Sequence, residues 1–107
     1  MSHFADVHAA ARFAAEKMTK NNLFTTDRLF CDVYCFESGQ SQAAHSHAGS
    51  DKVYYVLSGT ARITIGDDAR DVAAGTAALA PSEVSHAVVN PGPERLMLLV
   101  LMAPKPR

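Results

Sequence analysis

Two short histidine signatures, about 40 residues apart, constrain this chain more than any other feature. In the first, Gly39 is followed after five residues by His45 and His47, then by Asp51, Lys52 and Gly59. In the second, Gly75 is followed by Pro81, Glu83, His86 and Asn90. Side chains two apart on a strand point to one face, so His45 and His47 can reach the same ion. A third histidine delivered by a later strand, His86, would complete a three-nitrogen site of the kind that holds zinc, iron, copper or nickel.

The segments around these signatures are short and rich in β-formers. Leu29–Glu37 ends at Ser38-Gly39, and Val53–Leu57 turns at Ser58-Gly59. Thr60–Ile65 alternates cleanly, which predicts Ala61, Ile63 and Ile65 inward and Thr60, Arg62 and Thr64 outward. Gly66-Asp67-Asp68 is a hairpin turn. Asp71–Ala73, Thr76–Leu79, Val84–Val89 and Arg95–Met102 follow as further strands. Strands this short at this spacing predict an all-β sandwich or barrel over residues 29–107. Leu96–Met102 is apolar on both faces, which fits a central strand or a homodimer interface. Ahead of the barrel, residues 1–28 form an N-terminal helix and a lead-in. The helix spans residues 4–18, where Phe4, Val7, Ala11, Ala14 and Met18 recur near the helical period. Asp6 is its N-cap, and Lys17, Lys20, Asn21 and Asn22 close it.

The charge balance excludes some partners. Ten Lys and Arg against eleven Asp and Glu give a formal net charge of −1. The basic residues are scattered, so neither nucleic acid nor an anionic membrane surface is an expected partner. The longest apolar run, Leu96–Ala103, is far short of the roughly 20 residues that cross a bilayer. With no signal-peptide pattern at the N-terminus, the expected location is cytoplasmic. Cys31 and Cys35 agree with that: four apart on a strand, their α-carbons stand about 13 Å apart, too far for a disulfide.

With both signatures in register, the chain resembles the cupin superfamily, through Gly39, His45, His47 and Gly59 in the first motif and Gly75, Pro81, His86 and Asn90 in the second. The resemblance covers residues 29–103. It implies a double-stranded β-helix (the jelly-roll or cupin barrel) with a ligand pocket in the barrel mouth. It also implies a divalent ion, such as Fe, Mn, Ni or Zn, on His45, His47 and His86. Two positions depart from the pattern. Lys52 stands where the family carries a metal-binding glutamate, and Glu83 replaces a turn glycine. A +1 charge ~4 Å from a +2 ion costs about 8 kcal/mol before screening at an effective dielectric of ~20. Lys52 therefore faces solvent at the rim, or is neutral, or pairs with an anionic ligand, or the site holds no metal. Asp51 and Glu83 are the substitute carboxylates within sequence range.

The expected pocket holds a small-molecule ligand, with Lys52, Gln42 and Tyr54 among its binding residues. Tyr55, Phe36, Met97 and Leu99 are further candidates for its lining. Asn90 is either a polar contact or a turn residue. His3 and His8 lie in no motif and are expected at the surface. No catalytic residue is assigned. Three functions remain open: a metal-dependent dioxygenase, isomerase or decarboxylase; a non-catalytic binding module; and a metal-free catalyst with a histidine base.

Overall fold

A computed structural model describes residues 2–106. One helical turn, α1 (Val7–Ala10), precedes nine strands. These are β1 (Thr19–Thr25), β2 (Phe30–Phe36), β3 (Ser41–His45), β4 (Asp51–Ser58) and β5 (Thr60–Ile65). They continue with β6 (Asp68–Ala73), β7 (Ala77–Ala80), β8 (His86–Val89) and β9 (Leu96–Ala103). The strands form a five-stranded sheet in the order β1-β2-β9-β4-β7 and a four-stranded sheet in the order β3-β8-β5-β6. All pairings are antiparallel. The result is the expected all-β double-stranded β-helix.

Alternation decides which residues face the interior. On β9, Leu96, Leu98 and Val100 join the main core with Tyr34 and Phe36 of β2, Tyr54 and Val56 of β4, and Val88 of β8. Ala61 and Ile63 of β5 lie in the same core, and Ile65 packs against it, as the sequence pattern predicts. Met97 falls on the other face and packs with Val33 and Cys35 in a second cluster. Leu99 alternates with the core positions of β9 in the same way, so neither Met97 nor Leu99 lines the interior, which corrects the expectation for both. Tyr55 also faces outward and is 39% exposed. Cys31 and Cys35 are free and buried.

The predicted helix over residues 4–18 reduces to the single turn α1, capped by Asp6, whose Oδ1 accepts from the Ala9 amide at 3.1 Å. The apolar side chains of this segment, Val7, Ala10, Ala11 and Phe13, spread over the outer face of the large sheet. A mostly alanine stripe buries little area, so it repays the cost of nucleating a helix poorly. The lead-in is not irregular either. Lys20, Asn21 and Asn22, expected to close the helix, lie in β1, which pairs with β2 from Thr19↔Cys35 to Thr25↔Phe30. The free edge of β2 offers ladder hydrogen bonds that override local helical preference.

Gly59 turns the chain between β4 and β5 with φ +84°, and a Cβ there would lie 2.3 Å from the Arg95 carbonyl oxygen. Glu83 adopts φ +70° where the family pattern has glycine, and its amide donates to the His47 carbonyl at 2.7 Å. Gly59→Ala is expected to destabilise the fold by more than about 1 kcal/mol, through strain and backbone overlap. Glu83→Gly is expected to be neutral or slightly stabilising. Urea denaturation of both variants checks the pair, and an unchanged midpoint for Gly59→Ala would contradict the account.

Candidate metal centre

The three histidines arrive from two strands and the loop after one of them. His45 ends β3, and its register partner is His86 at the start of β8. His47 follows in the loop, after a register shift between Gln42 and His45. Their rings converge, with centroids 4.9 Å apart for His45–His47, 4.2 Å for His45–His86 and 5.6 Å for His47–His86. One ligand atom from each lies within 4.8 Å of the others.

The ring nitrogens are oriented for ligation. His45 Nδ1 donates to the Ala43 carbonyl at 2.8 Å, and His86 Nδ1 donates to the Val84 carbonyl at 3.0 Å. A carbonyl only accepts, so each Nδ1 carries a proton, and in the neutral ring this leaves the lone pair on Nε2. His86 Nε2 is buried with no partner among the described residues. An orphaned buried acceptor costs about 1–3 kcal/mol unless something binds it. Burial, then Lys52, His45 and Lys20, hold the His47 imidazole below its ordinary range. Burial is also the main cause for His86, with His45, Lys52 and His47 adding to it against the Val84 hydrogen bond. Neutral imidazoles are the form that ligates a metal. The donor set therefore fits a divalent ion.

Among the described residues, no carboxylate joins the group. Asp51 is exposed, and its Oδ1 accepts from the Ser82 amide at 2.9 Å. Glu83 is exposed in the turn. Of the four positions expected for Lys52, the structure rules out the exposed rim. Lys52 is only 2% exposed and points into the barrel with Tyr54. Its Nζ lies 5.2 Å from the ring centre of Tyr34 and 5.1 Å from that of Tyr54. Among the described residues it forms no ion pair. Burial, then the nearby Lys20, pull its amine from 10.5 to about 8, with Asp32 opposing.

Tyr54 connects the two halves of the site. Its ring stands 6.0 Å from that of His86 and 6.5 Å from that of Tyr34. Its hydroxyl donates to Gln42 Oε1 at 2.9 Å, which joins the two side chains. Burial and Asp32 push the Tyr34 phenol up to about 12 against the Gln42 hydrogen bond, and burial raises Tyr54 as well. Both phenols stay protonated. Phe36 lies deeper, in the apolar core. Asn90 is a turn residue: its Nδ2 donates to the carbonyls of Phe36 and Glu94, and its Oδ1 accepts from Gly92. His3 and His8 are exposed. Sequence reasoning missed Lys20, whose Nζ lies 5.4 Å from the Tyr34 ring centre. Only its pairing opposite Tyr34 places it there, and that required knowing β1. An apolar cleft of about 330 Å³ between β6 and β7, lined by Ile63, Ile65, Val72 and Leu79, contains none of these groups.

The fold and the paired histidine strands define a cupin. The chain belongs to the cupin domain family, which its residues 32–102 match. It is 35% identical over 72 residues to the uncharacterized protein SCO3923 of Streptomyces coelicolor, a match that spans 67% of each chain. The crystal structure of TT1209 from Thermus thermophilus superposes with a TM-score of 0.94 at 39% identity, covering 98% of this chain and 100% of that one. A conserved Klebsiella pneumoniae protein with a double-stranded β-helix domain superposes with a TM-score of 0.90 at 25% identity, over 96% of this chain and 85% of that one.

The buried amine has a thermodynamic signature in the metal-free protein. Unfolded chains hold the lysine proton up to about 10.5, whereas the folded protein releases it near 8. At about 1.4 kcal/mol per pH unit this corresponds to about 3 kcal/mol of destabilisation at neutral pH. The two aromatic faces offset part of that. The unfolded state binds more protons between these values, so the penalty shrinks as pH rises from 8 to 10.5. Lys52→Met is therefore expected to raise stability by about 1–3 kcal/mol at pH 7. Most of that gain should vanish by pH 10.5. Urea denaturation of wild type and variant at both pH values checks this, and a gain independent of pH would contradict it.

Proposed function

We propose that this protein is a small cupin that holds a divalent metal through His45, His47 and His86 and binds a small anionic molecule in its barrel pocket. The observation that carries the reading is the convergence of three imidazole ligand atoms within 4.8 Å of one another. A bound divalent ion supplies Lewis acidity and open positions that orient a ligand. The chain's own residues do the rest. His45 and His86 present Nε2 because backbone carbonyls hold their Nδ1 protons. Lys52, buried beside the hydrogen-bonded Tyr54 and Gln42, draws negative charge towards the histidines. The metal-dependent enzyme and the binding module share this step, and turnover of the bound ligand separates them. A cytoplasmic location belongs to the same reading, in keeping with two free, buried cysteines.

Protein purified without an affinity tag and incubated with Fe, Mn, Ni or Zn is expected to retain near-stoichiometric metal by elemental analysis. His86→Ala is expected to lose it while keeping the β-sheet circular-dichroism spectrum. No uptake of any of the four ions would overturn the metal reading.

The homodimer is also a proposal, supported by a row of apolar side chains across the outer face of the large sheet. Leu79 (56% exposed) and Leu101 (40% exposed) flank Val53, with Tyr55 one register step away. Sedimentation equilibrium is expected to show a dimer that Leu101→Lys weakens at least tenfold. A monomeric wild type would exclude it.

A further inference from the structure

The metal and anion reading leaves one charge imbalance inside the barrel. Lys52 is a buried cation without an ion pair among the described residues. Lys20 of β1 is the register partner of Tyr34 and stands beside it at the exposed edge of the sheet. Both lysine Nζ atoms contact the same Tyr34 ring, at 5.4 Å and 5.2 Å. The nearby acid is Asp32, whose Oδ1 is already engaged by Asn22 Nδ2 at 2.8 Å. Across Tyr54, His86 presents a buried ring nitrogen that nothing satisfies among the described residues.

Two unsatisfied stations therefore stand on either side of the Tyr54 ring, and each calls for a ligand group of its own. A divalent ion on neutral imidazoles would carry two positive charges, and the buried Lys52 adds one more, while the exposed Lys20 keeps its own hydration. Asp32 removes one, which leaves two. A monoanion would leave the lysine end or the metal end uncompensated in a site partly closed to water, where unpaired charge is expensive. Lys20 also lines an open cleft with Lys17, Met18, Thr19 and Ser41, which gives the lysine end access to solvent.

From this arrangement we infer that the pocket selects small dianions, holding one acidic group at the three-histidine centre and the second between Lys52 and Lys20. The inference rests on the metal reading and narrows its ligand class. Lys20 is a specificity residue for the second acidic group, and Lys52 serves both ends of the ligand.

The test uses metal-loaded full-length protein and isothermal titration calorimetry. The probes are dicarboxylates from malonate to glutarate, each beside the monocarboxylate of equal length. The wild type is expected to bind at least one dicarboxylate tenfold or more tightly than its monocarboxylate partner. Lys20→Met lies on an exposed edge-strand position and is expected to fold normally. It should erase that preference while leaving monocarboxylate affinity and metal content unchanged. Lys52→Met should weaken both classes. Equal affinity for both classes in metal-loaded wild type would overturn the dianion inference alone, as would an undiminished preference in Lys20→Met. Metal-loaded protein that binds no carboxylate of either class would overturn the anion reading, and the inference with it. Loss of metal from the wild type during titration would do the same to the metal reading.

Discussion

The middle strand of the large sheet is the constraint on which the rest depends. β9 is paired on both sides, with β2 and with β4, and it divides its side chains between two apolar layers. Leu96, Leu98 and Val100 close the barrel interior, while Met97 helps to seat the N-terminal segment. A slip of one residue along this strand would exchange the layers, turning Leu96, Leu98 and Val100 out of the core. The two strands that carry Tyr34, Lys52 and Tyr54 are thus held in phase by a strand that contributes no polar group to the site.

That phase explains why a lysine can be buried so close to three histidines. Core packing at Val56, Val100 and Leu98 commits the alternate positions of β4 to the interior, and position 52 follows. The side chain is only 2% exposed rather than turned to the outer surface, and the backbone at this position pairs with Met102 and Ala80. The amine settles over two tyrosine faces instead, where the ring quadrupoles recover part of the lost hydration. The family pattern places a carboxylate at this position, which would neutralise a metal from within the protein. Here the sign is reversed, and under the proposed metal reading a bound anion would supply the compensating charge.

The sequence disclosed the histidine cluster because the spacing of His45, His47 and His86 depends on strand parity and turn positions that survive without coordinates. The alternation of Thr60–Ile65 was legible for the same reason. The direction of Lys52 was not legible, because adjacent strand residues point oppositely and the strand's register could not be fixed from residues 51–57 alone. Met97 and Leu99 were misplaced by the same one-residue ambiguity. The N-terminal segment failed differently: its alanine-rich pattern reports local helical preference, but the outcome was set by the unpaired edge of β2, which lies outside the segment. Lys20 was invisible as a site residue because its place depends wholly on that pairing.

One consequence concerns β3, which has β8 as its sole neighbour in the small sheet. The register pairs between them are Ser41↔Val89, Gln42↔Val88 and His45↔His86, with a shift in the middle. The last pair consists of two of the three histidines, so a group gripped by both imidazoles also rivets the sheet's edge. Fraying of that edge and emptying of the site are then a single linked equilibrium. A group settled between those rings would therefore set how often the barrel wall comes unzipped, so that the histidine cluster doubles as the clasp of its own container.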